Sequence, residues 1–270
     1  MHPHLLEHPP IGSYGVMMAG AWLVGWFLAR RRAPAVGVPV WVIDGLMPLL
    51  IVGMLGGSRL AGLVAQQWSP GFSNDYLLLG GITIVVLTVV VVSAWTHIPL
   101  GRLGDAFTFS LPAGILLLRL GCLMAGCCWG NTCGDHWPLG VTYPTGSPAW
   151  HQQILTGSLA TDSQRSLPVH PVPLYEAAAL LGLLAASKLL DAHWHRWGES
   201  FLAFGFSYCV LRFLLEWLRA DHVPIMIGLA FSQWASLACA IGCLVLWEIR
   251  RRWAASGRCE LYRRCTGQTV

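Results

Sequence analysis

The segment YLLLGGITIVVLTVVVVSAW, Tyr76 to Trp95, contains no charged side chain. About 20 apolar residues in a helix match the roughly 30 Å hydrocarbon layer of a bilayer. Inside that layer every backbone N–H and C=O must be satisfied internally, which a helix does by itself. Comparable runs recur, and their spacing predicts about seven transmembrane helices, at roughly 11–30, 41–66, 76–96, 105–126, 173–190, 200–218 and 225–248. The fifth, PLYEAAALLGLLAASKLL, is the weakest, because Glu176 and Lys188 flank it; a buried core helix is its alternative reading. Charged residues are only 11% of the chain, against about 25% in soluble domains. So few charges do not cover a water-facing surface. The expected class is an all-α integral membrane protein, with residues 1–270 as a single domain.

The basic residues orient it. Arg30, Arg31 and Arg32 follow the first run, and Arg102 lies between the third and fourth. Lys188 and Arg196 lie between the fifth and sixth, and Arg250, Arg251 and Arg252 follow the seventh. If the runs alternate in direction, all of these share one side. Arg165 lies in the opposite loops, with Arg219 at the edge of the sixth run. The positive-inside rule makes the arginine-rich side cytoplasmic, with the N-terminus outside and the C-terminus inside. The longest loop, about 127–172, then forms an extracytoplasmic head between spans four and five. The opening MHPHLLEHPPIGSYG has no basic stretch before an apolar core, so no cleavable signal peptide is expected. No basic stripe marks a nucleic-acid surface.

Ionisable residues within a membrane span are expensive and mark functional sites by default. Tyr208, Arg212 and Glu216 follow an i, i+4, i+8 spacing, with Arg219 three residues later. Such positions share one helix face. The stripe reads either as a packing ladder or as an anion site, in which Arg212 donates bidentate hydrogen bonds to a phosphate and Glu216 holds its plane. Arg119 lies in ILLLRLGC with no acidic residue three or four positions away, so its partner must come from another helix or a ligand. Arg59, Asp44, Asp105 and Glu176 complete the inventory. Asp105 reads as a helix-start residue. His170, in VHPVPLYEA, is a candidate acid or base. The pairs Gly56–Gly57 and Gly80–Gly81 read as close helix contacts, or as places where a lipid headgroup approaches backbone.

These segments resemble the signatures of the prolipoprotein diacylglyceryl transferase family. LRLGCLMAGCCWG, VHPVPLYEA and YCVLRFLLEWLRAD occur in the family's order, as do Tyr14–Gly15 in the first run and FSQWASL in the last. The resemblance implies a bacterial inner-membrane enzyme with seven spans and an extracytoplasmic head. It implies transfer of the sn-1,2-diacylglyceryl group of phosphatidylglycerol to the lipobox cysteine thiol of a preprolipoprotein signal peptide, with glycerol phosphate leaving. No metal or organic cofactor is implied. Carried over by motif, Arg119 and Arg212 are the phosphate-handling arginines, supported by Glu216 and Arg219. Tyr14, Asp105, Gly130, His170, Glu176 and Tyr208 are associated positions. The chemistry agrees: two guanidiniums stabilise a departing phosphate in a low-dielectric site, and a base must take the thiol proton.

The chain also departs from the family. Leu79–Gly80–Gly81 stands where the family commonly has His-Gly-Gly, whose histidine is proposed to activate the thiol. Cys122 stands where asparagine is typical, and Ala125, Gly126 and Cys127 replace an Asn-Gly-Glu-like stretch. His170 or Glu216 are the remaining base candidates. Cys122, Cys127, Cys128 and Cys133 read as small packing residues, as a redox set in which Cys127 or Cys128 pairs with Cys133, or as metal ligands, although C-x4-C-C-x4-C is not a standard zinc spacing. A thiol-redox or sulfur-handling membrane protein reusing the fold, or a non-catalytic lipid-binding homologue, is the alternative to the transferase.

Overall fold

The computed structural model describes residues 4–6, 11–68, 74–134, 136–193, 196–220 and 224–255. It is predominantly helical, as the apolar runs require. Two short strands, β1 (His4–Leu6) and β2 (Ile11–Gly12), pair antiparallel ahead of helix α1 (Ser13–Arg32). Then come α2 (Val40–Trp68), α3 (Asn74–Thr96), α4 (Leu100–Phe107) and α5 (Ser110–Ala125). Helix α6 (Pro148–Leu155) lies in the long connection to α7 (Val172–Leu190) and α8 (Glu199–Leu215). The strands β3 (Pro224–Met226) and β4 (Leu229–Ala230) form a hairpin before α9 (Phe231–Ala255).

Among the described residues, five segments are long and apolar enough to cross a membrane: Val40–Val64, Leu79–Thr96, Val172–His193, Glu199–Leu218 and Phe231–Arg252. The pair α4 and α5, bent by 44°, passes the same test only when its two helices are taken together, as a broken span or a re-entrant loop. The chain is therefore a multi-pass membrane protein, and the weak fifth run is among its candidate spans. The first run forms α1 but lacks the apolar content of the others. Large apolar side chains face outward, among them Leu23, Val52, Leu63 and Val91, while Glu176, Glu216 and Gln233 are buried. Lipid-facing residues have no reason to be polar, and the polar ones turn inward to find partners.

Two of the expected spans are corrected. The run 105–126 is not one straight helix. Pro112 lacks the N–H that would bond the Thr108 carbonyl, and its ring crowds that carbonyl, so the chain bends between α4 and α5. The run 225–248 begins too early, because residues 224–230 form the hairpin. Ile227 and Gly228 both have positive φ, 53° and 73°, the signature of a tight hairpin turn rather than a helix.

Small residues set the helix spacing. A Cβ on Gly57 would stand 2.5 Å from the Gly80 carbonyl oxygen, and one on Gly80 would stand 2.6 Å from that of Gly57. Gly57, Gly80 and Gly81 thus let α2 and α3 approach closely, whereas a Cβ on Gly56 would meet nothing within 4 Å. At the other end of the bundle, Arg32 pairs with Asp191 through a 2.7 Å hydrogen bond from Nη1. Arg30 pairs with Asp44 at 2.9 Å, and Arg102 lies over the Trp197 ring. The ends of α1 and α7 and the starts of α2, α4 and α8 therefore meet in one basic layer.

Asp105 is a helix-start residue, but not of its own helix. It is buried in α4, and its carboxylate accepts the N–H groups of Gly198 and, at 3.1 Å, Phe201. It caps the N-terminus of α8, where acceptors are scarce and the helix dipole favours an anion. Asp105→Ala is expected to lower the stability of the folded protein by about 1–2 kcal/mol, read as an earlier thermal unfolding midpoint in detergent.

Candidate functional site

Arg119, on the last turns of α5, finds its partner on α7. Its Nε lies 2.9 Å from Glu176 Oε2, in ion-pair contact without hydrogen-bond alignment. The other carboxylate oxygen, Oε1, accepts the Tyr208 hydroxyl of α8 at 3.0 Å. Glu176 is only 1% exposed. A carboxylate at that depth needs both contacts, since an isolated buried charge is costly. Three helices thus supply one ionic node. Gly121 permits the approach of α1 to α5: a Cβ there would stand 2.9 Å from Met17 Cβ and 3.4 Å from Tyr14 Cδ2. Tyr14 is thereby held on the α1 side of the arginine helix.

A second node forms where α8 ends. Arg212 Nη1 donates to Glu216 Oε2 at 2.6 Å, and Arg219 Nε lies 3.8 Å from the same oxygen. The stripe expected from spacing is split: Tyr208 turns to Glu176, while Arg212, Glu216 and Arg219 form their own cluster. A 3-10 turn, Glu216–Leu218, tightens the helix end and leaves Arg219 extended. Tyr208 lies within electrostatic reach of both Arg119 and Arg212, so the two nodes adjoin. A guanidinium carries five N–H donors in a fork suited to phosphate. One carboxylate contact occupies only part of that fork.

Backbone ties bring the elements to one end of the bundle. Gly130 N–H bonds the His170 carbonyl at 2.8 Å, and Asn131 N–H bonds the Leu218 carbonyl at 2.8 Å. His170 N–H returns to the Asn131 carbonyl at 3.0 Å, and Gly130 bridges Arg219. The exit of α5, the start of α7 and the exit of α8 are laced together through residues 129–132. His170 is fixed by more than its backbone. Its Nδ1 lies 3.2 Å from the Tyr175 hydroxyl, which also accepts Trp137 Nε1–H at 2.8 Å, and Trp137 meets the imidazole edge-on. Tyr175 and Trp137 went unnoticed in the sequence. The only signal for Tyr175 was its place beside Glu176 in VHPVPLYEA.

Residues 3–249 match the family model for prolipoprotein diacylglyceryl transferase. The chain belongs to the prolipoprotein diacylglyceryl transferase family. It is similar to the phosphatidylglycerol–prolipoprotein diacylglyceryl transferase of Paracidovorax citrulli, 25% identical over 93% of this chain and 98% of that protein. It is likewise similar to that of Xanthomonas oryzae pv. oryzae, 30% identical over 83% of this chain and 80% of the relative. A shorter match, 29% identical over 56% of this chain and 34% of the relative, is to the protein of that name in Rhodopirellula baltica.

In this family member the cysteines gather in a way the spacing did not suggest. Gly126 ends α5 in the left-handed conformation, φ 72°, and Cys128 follows at φ 59°. The chain doubles back, and the sulfurs of Cys122, Cys127 and Cys128 all lie within 4.8 Å of one another. Cys133 stands apart, packed against Gly140. Cys122, Cys127, Cys128 and Cys133 are all free, and the redox reading's pairing of Cys127 or Cys128 with Cys133 is not formed. The fold carries Cys133 away because the ladder at residues 130–132 intervenes.

Within the cluster the hydrogen bonds of Cys122 and Cys127, and then the charges of Arg219 and Arg119, pull the Cys128 pKa down, while thiol contacts and burial push that of Cys127 up. Tyr143, beneath Gly126, is pushed up to about 12 by burial and the nearby thiols. The sign follows directly: a depressed pKa keeps Cys128 a thiolate as pH falls below the usual thiol range of about 8.5. Alkylation by iodoacetamide, mapped by peptide mass, should therefore persist to lower pH at Cys128 than at Cys127. Parallel pH profiles at Cys127 and Cys128 would refute this.

Proposed function

We propose that the protein transfers the sn-1,2-diacylglyceryl group of phosphatidylglycerol to the cysteine thiol in the lipobox of a preprolipoprotein signal peptide. The reading places it in the bacterial inner membrane. There the bent pair α4 and α5 is one span beside the five that pass on length and composition, and α1 is the seventh. The basic layer is cytoplasmic, the C-terminus lies inside and the N-terminus outside. Residues 127–172 are the extracytoplasmic head of a single domain. The observation that carries this reading is the pair of adjoining buried nodes, Arg119–Glu176–Tyr208 and Arg212–Glu216–Arg219, within a family member.

The chemistry requires a sulfur–carbon bond to form at the glyceryl carbon while its bond to the phosphate oxygen breaks. The electron pair leaves on that oxygen. Arg119 and Arg212 bind the phosphate and meet the charge that develops on it, in a setting where water screens little. Glu176 and Glu216 hold the two guanidiniums in place, and Tyr208 fixes Glu176 in turn. Arg219 shares Glu216 and adds positive charge at the outer rim. Tyr14, Gly130 and His170 shape the walls, with Gly130 joining the head to both the His170 and Arg219 segments. His170 and Glu216 are the protein groups nearest to base chemistry, yet the ring of His170 meets Tyr175 and Trp137, and Glu216 serves two arginines.

The test is direct. Purified protein receives phosphatidylglycerol and a peptide bearing a lipobox cysteine, and the product is weighed by mass spectrometry. A gain equal to one diacylglyceryl group, absent when serine replaces the peptide cysteine, supports the transferase. No gain with folded protein and a reduced peptide overturns it.

A further inference from the structure

The phosphate reading assigns no role to the gathered thiols of Cys122, Cys127 and Cys128. Small packing residues would account for a buried Cys122, but Cys127 and Cys128 are only half-buried. Side-chain packing alone does not require Cys128 at positive φ, which a non-glycine residue adopts at a steric cost. That backbone turn is what draws the three sulfurs to within 4.8 Å. Around a zinc ion, bonds of about 2.3 Å set sulfur–sulfur separations of roughly 3.8–4.0 Å. The three thiols therefore need to close by only a fraction of their present spacing.

We propose that Cys122, Cys127 and Cys128 form a three-thiolate site for one soft d10 cation, zinc, with the fourth tetrahedral position taken by the acceptor thiol. The second half of this inference rests on the transferase reading. Soft sulfur donors select such cations over hard ones. Three protein ligands plus one exchangeable position is the pattern of a reactive rather than a purely structural zinc centre. Loading forms three S–Zn bonds, and the protons still held by the sulfurs go to solvent. The centre then carries net charge −1, beside the positive charges of Arg219 and Arg119 that already act on Cys128. An acceptor thiol joins as the fourth ligand and loses its proton to solvent, because a metal-bound thiol is deprotonated outright. Its sulfur then forms the bond to the glyceryl carbon as the C–O bond to phosphate breaks and the electron pair leaves with the phosphate. Nothing is oxidised or reduced. A thiol-activating group of this kind answers the absence of a base at Leu79.

The experiment uses full-length, detergent-purified, reduced protein and Zn2+ set against a competing chelator. One zinc per chain is expected. It should be lost in Cys122→Ser, Cys127→Ser and Cys128→Ser and kept in Cys133→Ser, with helix content by circular dichroism confirming that each variant folds. Wild-type protein alkylated at the three cysteines after folding should lose zinc in the same way, with no sequence change. Failure of the wild type to bind, or binding that survives loss of all three thiols, overturns the site. In a second arm Co2+ replaces zinc. The thiolate-to-cobalt absorption should grow when a lipobox peptide with cysteine is added, and not when serine replaces that cysteine. No response overturns the role of the acceptor as fourth ligand. Transfer measured in parallel separates the two readings. If zinc-free protein transfers as fast as zinc-loaded protein, thiol coordination fails while the transferase stands. If neither transfers but zinc and peptide thiol still bind, the transferase reading fails and the site stands.

Discussion

Arg119→Ala is expected to reduce diacylglyceryl transfer by about 10²–10³-fold, the usual loss when one preorganised donor to a developing negative charge is removed. Two effects act together and can be separated. The first is loss of a guanidinium beside the departing phosphate, which appears only in the chemical step. The second is an orphaned carboxylate: Glu176 is 1% exposed and keeps only the Tyr208 hydroxyl. Breaking a buried pair from one side is costly, about 3–5 kcal/mol. The double variant Arg119→Ala/Glu176→Gln removes the orphaned charge, since a neutral amide still accepts from Tyr208. Its thermal unfolding midpoint in detergent should recover towards wild type, while transfer stays low. If transfer recovers with stability, Arg119 is a packing residue and the assignment of the phosphate to it fails. Arg119→Lys keeps the charge without the fork, and intermediate transfer is expected of it.

Gly130→Ala should damage both stability and transfer. A Cβ at this position would stand 2.6 Å from the Leu218 carbonyl oxygen, 2.7 Å from His170 Cβ and 2.8 Å from the His170 carbonyl oxygen. These are two separate segments on either side of residue 130, and mostly backbone, so neither moves away cheaply. Forced overpacking of this kind commonly lowers stability by about 1–3 kcal/mol. It also strains the Gly130 N–H bond to His170 and the Asn131 N–H bond to Leu218, which hold the Arg219 segment against the head. Transfer should fall beyond what the stability loss explains, because Arg219 shares Glu216 with Arg212. Gly134→Ala is the control: a Cβ there meets nothing within 4 Å. Equal effects at positions 130 and 134, in unfolding and in transfer, would rule out the lacing role.

The i, i+4 pair Arg212–Glu216 was readable in advance because both residues ride one helix, whose period fixes their separation. Tyr208 shares their spacing but not their partner. A side chain at the edge of a stripe is claimed by whichever neighbouring helix presents the better group, here Glu176 of α7. Arg119 could be read as needing a partner from outside its helix, and no more than that. Helix rotation and tilt settle which carboxylate reaches it, and neither leaves a trace in local composition.

Alone, the sequence determined the all-α membrane class, the existence of most of the apolar helices, the clustering of arginines and the motifs that carry the family resemblance. Each of these is a local sum or a local spacing, and the bilayer rewards local sums directly. Tertiary structure alone decided the bend at Pro112, the hairpin that displaces the start of α9, the pairing of Arg119 with Glu176, the locking of His170 by Tyr175 and Trp137, and the gathering of Cys122, Cys127 and Cys128 without Cys133. The reason is the same in each case. These features depend on where the chain turns and which faces meet, and a turn of two residues at positive φ outweighs any pattern of spacing along the chain.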